Sequence, residues 1–176
     1  MKSFHKTLVA LVPVAFLVGP ISADMAPQPQ VIFTNCQQGT FAADWQGVAG
    51  RIYFMQWSLD LQNWLYAPFI DFGDGMHSRG LAGSAPKGFF RLKQIDDSGI
   101  TSLDEAMNAD FDGDGLSNIF EVTYGYDPFD SASTADGNDN ALDPEGDGMT
   151  NSTENTRGLN PMAKDNPKLL LQVTTE

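Results

Sequence analysis

One stretch restricts this chain more than any other: Asp110-Phe111-Asp112-Gly113-Asp114-Gly115-Leu116-Ser117-Asn118-Ile119-Phe120-Glu121. Aspartates alternate with other residues, a glycine follows the third aspartate, and a glutamate closes the run. The spacing returns over Asp143-Pro144-Glu145-Gly146-Asp147-Gly148-Met149-Thr150-Asn151-Ser152-Thr153-Glu154, with Glu145 replacing the second aspartate. Such dense glycine and aspartate suit neither a helix interior nor a strand. Alternate side chains of a coiling loop converge, so the acids of each loop meet in one small volume. Unrelieved, their repulsion costs on the order of several kcal/mol at an effective dielectric of ~20.

A cation resolves that conflict, and calcium is the expected one because it is hard and takes about six to eight oxygens. Asp110, Asp112 and Asp114 supply carboxylates, and Gly115 allows the sharp turn. The next ligand is a backbone carbonyl, which leaves the Leu116 side chain free to be apolar. Asn118 contributes directly or through water. Glu121 closes the shell with both oxygens from the first turn of a short helix. In the second loop the same places fall to Asp143, Glu145, Asp147, Met149, Asn151 and Glu154. Magnesium fits less well, since it dehydrates reluctantly and takes fewer ligands.

The repeat extends past the loops. Gly125-Tyr126-Asp127-Pro128 corresponds to Gly158-Leu159-Asn160-Pro161, a glycine ending each short helix and a proline preventing its resumption. A fainter third copy runs from Gln94 to Glu105, with Asp96 at the second ligand place and glutamine at the first. It reads either as a degenerate loop or as a capping box, Ser102 with Glu105, at a helix start. Asp127, Asp130, Asp136, Asn138, Asp139 and Asn140 lie between the main loops. They either lend oxygens to a neighbouring ion or form a solvated acidic linker.

At the N-terminus, Lys2 and Lys6 precede an apolar run, Leu8 to Val18, and then Gly19-Pro20-Ile21-Ser22-Ala23. This pattern predicts a secretory signal peptide cleaved after Ala23, too short to span a membrane. No later stretch is apolar enough to do so. The net charge of −13 falls to −15 once those two lysines are removed, which excludes nucleic acid and anionic membrane surfaces as partners. Cys36 is the single cysteine, so no internal disulfide forms; it reads as a buried or spare thiol, with an intermolecular bridge as the alternative.

From about Val31 to Leu92 the pattern is β. Val31-Ile32-Phe33, Phe41 to Trp45, Arg51 to Ser58, Asp60 to Tyr66 and Gly88 to Leu92 read as strands. Asp71 to Gly75 reads as a turn and Gly80 to Gly88 as a loop. Short strands with turns between them predict a small antiparallel sandwich or half-barrel. Trp45, Trp57, Trp64, Tyr53, Phe89 and Phe90 would form either a stacking platform for sugar or the core of a small module. The need to bury large side chains favours the core.

Residues 110–128 and 143–161 resemble thrombospondin type 3 repeats, or the related dockerin-like loops, which occur as tails of large secreted bacterial proteins. The shared pattern is D-x-D-G-D-G-x-x-N-x-x-E-x-x-x-G-x-D-P. Gly50 to Trp64 with Gly88 to Leu92 is similar to a β module that precedes such tails. The resemblance implies calcium threaded through irregular loops; the dockerin likeness would need longer helices and a cohesin partner.

The expected architecture is therefore mainly β: a small antiparallel β-sandwich-like module followed by irregular calcium-binding loops with short helices. Its segments are a signal peptide at 1–23, a linker at 24–30, the β-rich module at 31–93, the repeats at 94–165 and a C-terminal strand or tail at 166–176. The expected function is a non-enzymatic calcium-binding structural or adhesion module, secreted or at the cell surface, with the periplasm as an alternative compartment. The competing reading is an extracellular module that binds carbohydrate or protein, a polysaccharide for instance, through its β-rich half. Catalysis would fall to His77 and Cys36, whose flanks match no nucleophile motif. The Asn151-Ser152-Thr153 sequon is coincidental with the loop.

Overall fold

A computed structural model describes residues 31–36, 40–82, 88–97 and 99–165. The leader and linker expected at 1–30, the C-terminal strand expected at 166–176 and the side chain of Cys36 lie outside the described residues. The described chain is mainly β. Its strands are β1 (Val31–Cys36), β2 (Thr40–Gly47), β3 (Arg51–Ser58), β4 (Leu65–Phe72), β5 (Gly75–Ala82) and β6 (Phe89–Asp96). Three short helices follow, α1 (Leu103–Asn108), α2 (Asn118–Tyr124) and α3 (Asn151–Arg157), with a 3-10 turn at Asp139–Ala141 between the last two.

The strands form two antiparallel three-stranded sheets, ordered β1-β2-β5 and β4-β3-β6. β3 explains how they meet. Its sequence, RIYFMQWS, is a near-continuous apolar run, and such a run belongs to a strand covered on both faces. Tyr53 and Met55 pack against Ala43 and Trp45 of β2, which joins the two sheets. Ile52 and Phe54 point the other way, into a cluster with Tyr66, Ile70, Ala106 and Val122. Ala106 and Val122 come from α1 and α2, so the acidic half covers the second face of the sheet.

Phenylalanines seal that junction. Phe111 and Phe129 stack on each other at 5.4 Å, and both meet the Phe54 ring edge-on, at 6.1 and 5.3 Å. Phe111 sits inside the first acidic loop, between two of its aspartates. Edge-to-face and offset-stacked rings contribute about 0.5–1.5 kcal/mol per pair beyond area burial. The Lys93 ammonium lies 3.4 Å from the Phe129 centroid and donates to the Tyr66 hydroxyl at 3.2 Å.

Two stretches differ from the sequence expectation. Residues 60–63 form a turn rather than the start of a strand: Asp60 accepts from the backbone N–H groups of Gln62 and Asn63, both at 2.8 Å, and Leu61 adopts φ 66°. Those hydrogen bonds hold the Asp60 carboxyl well below the usual range. Strand β4 therefore starts at Leu65. Strand β5 (Gly75–Ala82) is not among the expected strands, and its end lies in the stretch read as a loop, because Gly80, Leu81 and Ala82 continue the ladder opposite Ala42, Phe41 and Thr40. Glycine content suggested a break there, but cross-strand pairing overrides it.

Candidate metal centre

The two loops share one hydrogen-bond scheme. Asp110 accepts from the Gly113 and Gly115 N–H groups at 2.7 and 2.8 Å; Asp143 accepts from Gly146 and Gly148, both at 2.9 Å. Asp114 accepts from Leu116 N–H at 2.7 Å, and Asp147 from Met149 N–H at 2.8 Å. Gly115 and Gly148, at φ 97° and 94°, occupy the left-handed region that the winding demands. Each loop runs into a short helix, α2 or α3, that stops at a left-handed glycine, Gly125 or Gly158.

The asparagines tie each loop to the residues before it. Asn118 N–H donates to Ala109 O at 2.8 Å and its side-chain amide to Ala106 O at 2.9 Å. Asn151 repeats this with Leu142 O at 2.8 Å and Asp139 O at 2.7 Å. The Asn118 carbonyl also accepts from Phe111 N–H at 3.2 Å, whereas the Asn151 carbonyl oxygen has no partner.

Asp110, Asp112 and Asp114 place oxygens within 4.8 Å of one another, and so do Asp143, Glu145 and Asp147. Two unit charges at that spacing repel by roughly 3–4 kcal/mol at an effective dielectric of about 20. Glu121 and Glu154 are fully buried, and none of their carboxylate oxygens has a hydrogen-bond partner. Among the described residues, most buried polar atoms without partners are carboxylate oxygens in or beside these loops: Asp112, Asp114, Glu121 and Asp139 around the first, and Glu145, Glu154 and Asp165 around the second. Leu116 and Met149, the carbonyl positions, have buried side chains.

Burial drives the electrostatics. It pushes Glu121 up to about 9, with Asp112, Asp114, Asp110 and Asp139 adding like-charge repulsion. Burial also takes Glu154 to about 7, helped by Glu145, Asp147 and Asp165, and Asp112 to about 6. Asp114 is raised by burial and by Asp110 and Asp139. Buried anionic oxygens without donors need a proton or a cation. A donor set made only of carboxylates and carbonyls suits a hard divalent ion.

The weak third copy is occupied by structural work. Asp96 pairs with Arg51 at 2.6 Å. Ser102 caps α1, and Glu105 turns back to Thr101 N–H and hydroxyl at 2.6 and 2.8 Å, which lowers its carboxyl pKa. This is the capping alternative of the two readings.

The β half offers less chemistry. Trp45 and Tyr53 are core, with Trp45 stacked on His77 at 5.3 Å. Trp57 and Trp64 are half-buried, and the Arg91 guanidinium covers the Trp64 ring at 4.1 Å. Strand register separates Cys36 from His77: Cys36 lies opposite Thr40, which faces Ala82, while His77 faces Trp45. Ala82 and His77 are about 16 Å apart along β5 at ~3.3 Å per residue.

Residues 110–131 match the Bacterial TSP3 repeat, a calcium-binding structural module. The first loop lies wholly within the matched stretch; the second loop, outside it, shares the same local geometry. No curated protein and no solved structure gives a significant match to the chain. No helix of the described residues is long and apolar enough to cross a membrane.

Proposed function

We propose that this chain is a secreted, non-enzymatic calcium-binding module in which two Ca2+ ions stiffen the acidic half and lock it against the β-sheet. The observation that carries the reading is the pair of closing glutamates, Glu121 and Glu154, buried with no partner for any carboxylate oxygen. In this reading the first ion takes Asp110, Asp112, Asp114, the Leu116 carbonyl and both oxygens of Glu121. The second takes Asp143, Glu145, Asp147, the Met149 carbonyl and Glu154, with Asn151 within the shell. Asn118 braces the first loop through the hydrogen bonds it makes on either side.

Phe111 makes the ion matter beyond its own loop. Ordering the first loop fixes the ring that packs on Phe54, so calcium also stabilises the junction with the sheet. Dissociation constants on the order of 10⁻⁴–10⁻³ M suit an extracellular module of this kind. Such a rigid element would serve as a spacer or adhesion unit at a cell surface, presenting the β half to an extracellular protein or polysaccharide.

Thermal unfolding with calcium and with a chelator, joined to calorimetric titration, tests the reading. Saturation at two or more ions is expected, with stabilisation abolished by Asp114→Ala together with Asp147→Ala. A melt and heat signal indifferent to calcium would overturn it.

A further inference from the structure

The first loop has a neighbour its own twelve residues do not include. Asp139, in the 3-10 turn that opens the second repeat, is fully buried. One of its carboxylate oxygens, Oδ2, accepts from the Ser133 N–H and hydroxyl at 3.0 and 2.6 Å; the other, Oδ1, is buried with no partner. The turn is pinned to the first loop, because the adjacent Asn140 side-chain amide donates to the Asp114 carbonyl.

We propose that Asp139 is a ligand of the divalent cation held by the first loop, and that it couples the first site to the second. This rests on the calcium reading above. The loop's own groups offer three aspartates, one carbonyl and a bidentate glutamate, about six oxygens where calcium accepts up to about eight. The ninth loop position, Asn118, already uses its amide on Phe111 N–H and Ala106 O. Asp139 supplies the further oxygen and a fifth negative charge. Its buried Oδ1 has no other group to satisfy it, and an unpaired buried carboxylate oxygen is costly.

The coupling follows from the other end of the residue. The Asp139 carbonyl accepts from the Asn151 side-chain amide at 2.7 Å, and Asn151 belongs to the second loop. Ordering the second loop around its ion fixes Asn151, Asn151 fixes the turn, and the turn presents Asp139 to the first ion. Linkage makes the effect mutual.

The test compares calcium titrations of the full chain with those of Asp139→Asn and Asp136→Asn, the latter removing an exposed acid from the same connecting segment. Asparagine keeps an acceptor for Ser133, so the fold persists at saturating calcium. Asp139→Asn should weaken the first site by about tenfold or more and reduce the cooperativity between sites, while Asp136→Asn changes neither. Terbium in place of calcium, in an Asp147→Ala background that retains only the first site, gives a second readout. Luminescence lifetimes in light and heavy water should count about one more coordinated water in Asp139→Asn, a change that loss of structural support alone would not produce. If Asp139→Asn binds as Asp136→Asn does and gains no water, the proposal is wrong while calcium binding stands. If the unsubstituted chain takes up no calcium, both readings fall.

Discussion

The two acidic loops share a spacing, a turn geometry and a closing glutamate, yet the fold sets them in different places. The first is built into the protein: Phe111 and Val122, in and just after the loop, pack into the sheet's second cluster, and Asn140 of the following turn donates to the Asp114 carbonyl. The second leans on the first repeat, with Leu142 against Leu116, Phe120 and Tyr126. Its extra carboxylate is Asp165, whose backbone N–H donates to Asp147 at 2.8 Å near the end of the described chain. The closing glutamates register the contrast, Glu121 pushed up to about 9 and Glu154 to about 7. A ligand motif sets which ion a loop takes; its surroundings set how firmly the loop is held before the ion arrives.

Calcium removal should have the largest effect. At about a hundredfold excess over each dissociation constant, one ion stabilises by about 2.7 kcal/mol, so two sites together give about 5 kcal/mol and a melting shift of about 10–20 °C. A chelator melt that shows two steps, with the second loop lost first, would sharpen the contrast; one merged transition would break it. Next comes Phe54→Ala, expected to cost about 3–5 kcal/mol by leaving a cavity under both phenylalanines. Calorimetry of that variant should show the first site weakened and the second unchanged.

Single-loop deletions follow. Asp114→Ala and Asp147→Ala each remove one ion's contribution, about 2.7 kcal/mol under the same conditions. The first should lower the melting temperature more, because it also releases Phe111 from the sheet; equal losses would mean that the two loops contribute alike.

Then comes pH. Both closing glutamates have pKa values raised above the ordinary 4.5, so the calcium-free fold binds more protons than the unfolded chain. Its stability should therefore fall as pH rises from about 4.5, until about 7 for Glu154 and about 9 for Glu121. Calcium competes with those protons. First-loop affinity should climb by up to about tenfold, roughly 1.4 kcal/mol, per pH unit between 7 and 9, while second-loop affinity stays flat. Titrations at pH 7, 8 and 9 check this.

The smallest effect belongs to Asn155. It accepts from the Ser117 hydroxyl at 2.9 Å and donates to Gly115 O at 3.3 Å, tying α3 to the first loop. Asn155→Ala should cost about 1 kcal/mol and loosen the coupling between sites, seen as a lower Hill slope in the calcium titration.

Much of the candidate metal centre was legible in the sequence because its geometry is local. Asp110, Gly115 and Glu121 sit close along the chain, and a loop winding on itself needs glycine at particular places whatever surrounds it. The helix stops at Gly125 and Gly158 were readable for the same reason. The strand edges were less so: Gly80 and Leu81 look like loop until β2 is laid beside them, and Asp60 looks like strand until its carboxylate gathers the backbone of the next turn.

The sequence alone thus determined a mainly β first half, two acidic loops of one design and the hard-cation chemistry of their donors. It left open whether the aromatics were core or platform, whether Gln94–Glu105 was a third loop, and whether the acids between the loops were ligands or linker. The tertiary structure decided what depends on contacts between distant segments. Trp45 is core because a second sheet covers it, Phe111 leaves its loop to pack on Phe54, and the turn that carries buried Asp139 is tied to Asp114 through Asn140. Burial and like-charge proximity are properties of three-dimensional neighbours, and no spacing along a chain encodes them directly.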